Sequence, residues 1–208
     1  MEQINPTDNT LPQSPIAGVR VVELGTGSEG LLQEFFDANP EYFLIIQGEP
    51  AGPTEAHEEI HGELPAGWSY TKKWVLGYVD TSDRLIALAN LVSDIIAPGV
   101  WNVSTFMVAT EHHGTGAAQL LYRSLEDWAR ANGAKWLRLG VVKGNARGER
   151  FWESAGFVQT RLREGIQFGK QTNTLRVMFK PLDGGTLEDY LALIPRDRPE
   201  LPNAAHPI

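Results

Sequence analysis

Apolar and polar residues change their spacing twice along the chain, and each change predicts a different kind of element. Residues 19–24 are apolar apart from Arg20 and Glu23 and read as a strand. Glu29–Ala38 has helical spacing and ends near Asn39-Pro40. Residues 41–47 are apolar without a clear period, so helix and strand both fit. Residues 48–53 form a breaker cluster, and residues 54–62 read as a short polar helix with Thr54 as candidate N-cap. β character then rises. Residues 73–80 and 85–93 flank a turn at 81–84, and Pro98-Gly99 turns the chain into 100–109, which predicts an antiparallel meander. The spacing then becomes helical again. Leu120, Leu121, Leu125, Trp128 and Ala129 make a stripe on a helix over 117–132, closed by Gly133. A strand at 136–142, a helix at 147–154, strands at 157–161 and 175–180 and a short helix at 187–194 complete the pattern. Strands first, then strand–helix–strand–helix–strand, predicts an α+β fold with one mixed central sheet flanked by helices. No internal repeat is present.

The length of 208 residues and a hydrophobic content of 42% suit one domain with arms. Residues 1–16 are polar and carry Pro6, Pro12 and Pro15, which predicts a flexible arm; 17–182 form the domain, and 183–208 a Pro-rich tail. The net charge of −8 argues against a nucleic-acid partner, which would require a basic face. An acidic chain still binds a polyanionic cofactor where a loop of backbone amides does the holding. The absence of cysteine excludes a disulfide scaffold, a thiolate metal site and a cysteine nucleophile. The N-terminus lacks the basic start and apolar core of a signal peptide. The most apolar window, 85–100, is broken by Asn90, Ser93, Asp94 and Pro98. A soluble cytoplasmic protein without a membrane partner is therefore expected.

Three motifs compete for the chemistry. Gly25-Thr26-Gly27-Ser28-Glu29-Gly30 is a literal G-x-G-x-x-G after a strand, with Glu49 about twenty residues on, as in a dinucleotide fingerprint. Residues 22–27 also look like a methyltransferase's first motif. A Rossmann domain must continue as repeated βαβ units, whereas here a Pro/Gly-rich segment and hairpins follow, so a Gly-rich connection is the simpler reading. His57-Glu58-Glu59-Ile60-His61 is a literal H-E-x-x-H, which on a helix offers two imidazoles to zinc with Glu58 as base. Its helix is short, polar and without an apolar stripe, and reads as a solvated acidic face. A zinc hydrolase through His57 and His61 stays open as an alternative. The third motif is His113-Gly114-Thr115-Gly116-Ala117-Ala118, between a strand and an amphipathic helix. Here several amides and a helix N-terminus converge at one point.

That loop, followed by Asn145 and by Phe151-Trp152-Glu153-Ser154-Ala155-Gly156-Phe157, resembles the acetyl-CoA-binding core of the GNAT superfamily of N-acetyltransferases over residues 74–162. The resemblance implies the GNAT-like acyl-CoA N-acyltransferase fold, acetyl-CoA as cosubstrate, and no metal. It implies that Phe106, Met107 and Val108 line the pantetheine arm, with an oxyanion held by amide N–H near Val108. It implies that the amides of His113, Gly114, Thr115, Gly116, Ala117 and Ala118 hold the pyrophosphate, and that Asn145 lies beside the pantetheine or the leaving thiol. His113 stands where the family has Arg or Gln. Phe151 and Trp152 fall where the family has an aromatic followed by a Tyr that protonates the thiolate; indole N–H has no such acidity.

Direct attack by a primary amine of a small molecule or peptide needs a base, and Asp94, after the second strand of the meander, is the candidate. Trp68, Tyr70, Trp74 and Trp101 are candidates for an acceptor cleft or for core, and Glu55, Glu58, Glu59 and Glu63 for a cation-attracting or merely solvated face. The missing Tyr also leaves open a non-catalytic acyl-CoA-binding or regulatory module on the same fold. A homodimer, common in this family, is an expected assembly.

Overall fold

The structure, a computed structural model, describes residues 11–64 and 67–200. Its strands are β1 (Arg20–Glu23), β2 (Lys73–Val79), β3 (Leu85–Val92), β4 (Val100–Val108), β5 (Trp136–Val142), β6 (Val158–Phe168) and β7 (Gln171–Pro181). Its helices are α1 (Glu29–Ala38), α2 (Pro40–Gln47), α3 (Glu55–His61), α4 (Ala117–Ala131), α5 (Ala146–Ser154) and α6 (Leu187–Leu193). The strands form one sheet in the order β1-β2-β3-β4-β5-β7-β6. β1 to β4 run as an antiparallel meander, β4 and β5 are parallel across α4, and β7 returns antiparallel between β5 and β6.

Period-two alternation feeds two cores. On β2, Trp74, Leu76 and Tyr78 pack toward α4 with Leu121, Leu125 and Trp128. Val75 and Val79 pack on the opposite face with Leu32, Phe35 and Phe36 of α1. All eight residues of β3 are buried, as expected of a central strand covered on both faces.

The sheet opens at one place. β4 pairs with β5 only over Val100–Val103 against Trp136–Leu139, although both strands continue. At that point β4 carries a bulge: Asn90 and Leu91 of β3 oppose Thr105 and Val103, leaving Ser104 as the extra residue. A bulge bends its strand and increases local twist. β4 therefore turns away from β5 and leaves a wedge between them.

Several expectations change. The ambiguous segment 41–47 is helical, started by Pro40 in the first turn. The strands expected at 157–161 and 175–180 are parts of a longer hairpin, β6–β7. The arm expected over 1–16 is docked where it is described: Leu11 and Ile16 pack on the main core, and the Ser124 hydroxyl on α4 donates to the Gln13 carbonyl. Residues 1–10 lie outside the described residues. The C-terminal segment is likewise part of the fold through residue 200. Tyr190 and Ile194 are fully buried against Val100, Trp136 and Phe179. A capping box between Thr186 and Asp189 starts α6.

Candidate active site

The wedge between β4 and β5 is a cleft of about 1130 Å³. Phe106, Met107 and Val108 form one wall, Gly140, Val141 and Val142 the other, and α2, α3 and α5 close the sides. The Ala109 amide donates to Ile86 of β3, so by strand alternation the N–H and C=O of Val108 and Phe106 face the parted edge. The same twist that opens the cleft thus aims the backbone groups of Phe106 and the Val108 N–H into it, while the Val108 C=O is taken by His113.

At one end of the cleft lies the Gly-rich loop. Gly114 and Gly116 have φ of 76° and 86°. A Cβ at either would meet nothing within 4 Å, so backbone conformation alone requires glycine in the protein itself. The N–H groups of Gly114, Gly116, Ala118 and Gln119 have no hydrogen-bond partner among the described residues. Unpaired amides at the start of α4, with the helix dipole behind them, make an anion cradle. His113, Gly114, Gly116 and Ala118 line the cleft. Thr115 and Ala117 do not: the Thr115 hydroxyl donates to the His112 carbonyl at 2.8 Å and accepts from the Ala117 amide at 3.3 Å, bracing the turn from behind.

His113 is fixed from both sides. Its Nε2 lies 3.0 Å from the Val108 carbonyl and its Nδ1 2.7 Å from Arg147 Nη1. A carbonyl only accepts and a guanidinium only donates, so both contacts are met with the ring proton on Nε2. Arg147 also pairs with Glu41 of α2 at 2.9 Å, and this hydrogen bond foremost holds the Glu41 carboxyl below the usual range. The chain Glu41–Arg147–His113–Val108 ties α2, α5, the loop and β4 together around the cleft.

Asn145 lines the cleft while its Oδ1 caps α5 by accepting from the Gly148 amide at 3.0 Å. Phe151 and Trp152 also line it. Trp152 is packed among Phe106, Tyr122, Phe151 and Phe157 at centroid distances of 4.8 to 5.9 Å, which makes it a wall and not an acid. Trp74 and Trp101 stack at 5.0 Å in the core, Tyr70 is exposed, and only Trp68 of the four candidate acceptor aromatics lines the cleft.

Asp94 is elsewhere. It sits in the β3–β4 turn with φ of 52°, its carboxylate accepts from the Gly99 amide at 2.7 Å, and it is not among the lining residues. Its acid side chain stabilises a tight turn. The carboxylate that enters the cleft is Glu59 of α3. It accepts from Asn90 Nδ2 at 2.7 Å and from the Thr105 hydroxyl at 3.2 Å. Burial raises its pKa, and those two hydrogen bonds oppose the rise in part. Tyr42 beside it has its phenol pushed far up by burial and then by the Glu59 charge. The acidic helix is thus solvated on one side only: Ala56 and Ile60 are buried, and Glu59 shares their face at helical spacing. That i, i+3, i+4 grouping was the signal in the sequence. Glu55 also lines the cleft, whereas Glu58 and Glu63 do not.

The rival motifs are built differently. In Gly25–Gly30 the amides are used internally: Gly25 donates to the Ser28 hydroxyl, Gly27 to the Glu29 carboxylate at 2.7 Å, and Ser28 to the Gly25 carbonyl. An anion would meet Glu29 there. In H-E-x-x-H both imidazoles are exposed outside the cleft, and Glu58 accepts from Thr54 at 2.8 Å.

A curated relative, the uncharacterized N-acetyltransferase YobR of Bacillus subtilis, is 36% identical over 115 residues, which is 55% of this chain and 43% of that protein. The chain therefore matches less than half the length of that relative. Among solved structures, the ribosomal-protein-S18-alanine N-acetyltransferase from Escherichia coli superposes with a TM-score of 0.59 at 14% identity, over 81% of this chain and 97% of that one. The spermidine N-acetyltransferase from Vibrio cholerae in complex with CoA and spermine gives 0.60 at 18%, over 80% and 96%. At these identities the structures share the fold. Residues 30–157 match the Acetyltransferase (GNAT) family, more than half of the chain, and with the parted β4 and β5 and the glycine-rich loop described above, the protein belongs to that family.

Proposed function

We propose that the protein is an acetyl-CoA-dependent N-acetyltransferase acting on a primary amine. The observation that carries this reading is a single cleft with unpaired loop amides on one side and the half-buried Glu59 carboxylate on another wall. The loop amides would take the pyrophosphate, and the outward N–H and C=O groups of Phe106 the pantetheine amides. Glu59 removes the proton from the ammonium form of the acceptor, directly or through water. The amine lone pair then attacks the thioester carbonyl carbon. The developing oxyanion is held by the Val108 amide. Collapse breaks the C–S bond, the electron pair leaves with sulfur, the nitrogen's second proton passes through water to the departed thiolate, and Glu59 returns its proton to solvent. A thiolate of ordinary pKa, about 8.5, is a good enough leaving group to depart without an acid, consistent with Trp152 at the family's Tyr position. Glu55 and Glu59 beside the half-buried Trp68 favour a cationic acceptor with an apolar portion.

Calorimetric titration with acetyl-CoA and CoA tests the cofactor half. Micromolar binding is expected, lost in Gly116→Glu, where a carboxylate enters the amide cradle, with circular dichroism unchanged. No binding to either ligand overturns the reading. Trp152 supports a second reading, a non-catalytic acyl-CoA-binding module. Cofactor binding without thiol release on a panel of amines would select it.

A further inference from the structure

The H-E-x-x-H segment has a partner that its sequence does not announce. His57 and His61 lie one turn apart on α3, with ring centroids 4.6 Å apart. Glu29, the first residue of α1, reaches the same point: its Oε1 is 2.7 Å from His61 Nε2. One ligand atom from each of the three residues falls within 4.8 Å of the others. The Gly27 amide donates to the other oxygen of Glu29 at 2.7 Å, which orients the carboxylate from behind.

We propose that Glu29, His57 and His61 form a surface site for a divalent transition metal of the zinc class, separate from the acetyl-transfer cleft. Two imidazoles and one carboxylate are a donor set that zinc accepts, with water completing four-coordination. Ligand atoms around a tetrahedral zinc lie about 3.4 Å apart at metal–ligand bonds near 2.0–2.1 Å. His57 is exposed, so its side chain has room to turn toward the other two. None of the three residues lines the cleft. Glu58 is held by Thr54, so the site lacks the base of a hydrolase. Its effect is mechanical: the ion joins α1 to α3, and α3 carries Glu59 into the cleft.

The test uses the full chain, stripped with chelator and titrated calorimetrically with zinc chloride. One equivalent is expected to bind with a low-micromolar constant and to raise the melting temperature by several degrees. His57→Ala and His61→Ala should each weaken binding at least tenfold and abolish the melting shift, and Glu29→Gln should weaken it as well. Both histidines are exposed, so these variants keep the fold. Zinc binding left intact by both histidine substitutions, or no binding at one equivalent, overturns the site. Gly116→Glu should bind zinc like the parent, which separates this inference from the cofactor reading.

Discussion

At the scale of the residue, Glu59 concentrates the functional argument. A carboxylate taken into a cleft costs desolvation, and the fold offsets it only in part through Asn90 and Thr105. Asn90 Oδ1 is itself buried without a partner among the described residues. This cost has a defined sign. A group whose folded pKa is raised contributes stability below its unfolded value of 4.5 and loses it as pH rises through the folded value. Glu59→Gln should therefore be at least as stable as the parent at neutral pH, measured by thermal melting. Its kcat should fall about 10²–10⁴-fold, the usual worth of a general base. The acidic limb of the pH–rate profile, lying above 4.5 in the parent, should disappear. A variant with full activity and an unchanged profile would assign the base elsewhere. Stability gained as activity is lost is the pattern of a residue kept for chemistry.

At the scale of the element, the cleft is held by contacts between segments far apart in sequence. Arg147 joins Glu41 to His113, yet the pair is about half exposed, with side-chain accessibilities of 55% and 44%. Such a pair adds under about 1 kcal/mol to stability. Arg147→Ala should leave the melting temperature nearly unchanged. It should weaken CoA binding about tenfold by calorimetry, because His113 then loses the donor that sets its tautomer; unchanged affinity would show that the loop is braced without it. The same contrast between local and distant explains what the sequence disclosed. The meander, α4, β5 and the loop were legible because their signals are local: period-two alternation, a helical apolar stripe, and Gly114 and Gly116 at fixed offsets from a strand. The β6–β7 hairpin was not, because residues 163–174 are mostly polar, with only Ile166 and Phe168 as large apolar residues, and extend past the end of the β5 pairing. Asp94 lies outside the cleft, and a carboxylate that braces a turn looks like any other in a sequence until the turn closes. Glu59 was hidden by the charges around it, and the approach of Glu29 to His61 is a contact between two helices that no spacing rule encodes.

At the scale of the whole molecule, the C-terminal segment locks the floor of the cleft. Arg138 of β5, buried in the sheet, donates from Nε and Nη2 to Asp197 at 2.7 and 3.0 Å, and the Tyr190 hydroxyl donates to the same carboxylate at 2.6 Å. Arg138 Nη1 reaches Asn102 of β4 at 3.1 Å. One guanidinium thus bridges the tail to both parallel strands just below the point where they part. Burial alone would raise the Asp197 pKa, but the Arg138 charge and the hydrogen bonds from Arg138 and Tyr190 outweigh it and leave the carboxyl below its usual value. Removing one member of such a pair strands the other charge in the interior. Asp197→Ala should cost about 3–5 kcal/mol in denaturant unfolding. A depressed acid contributes stability above its unfolded value of 3.8, lost as pH falls through the folded value, so the parent should lose this increment on acidification and Asp197→Ala should not. Replacing both partners with apolar residues of similar size should restore most of the loss, since neither charge is then left unpaired. If the double variant is as stable as the parent but its cleft binds CoA more weakly, the buried pair acts on the geometry of the parting strands more than on the stability of the fold. The bridge to Asn102 favours that outcome, because it is a side-chain contact across the two strands one residue before their pairing ends.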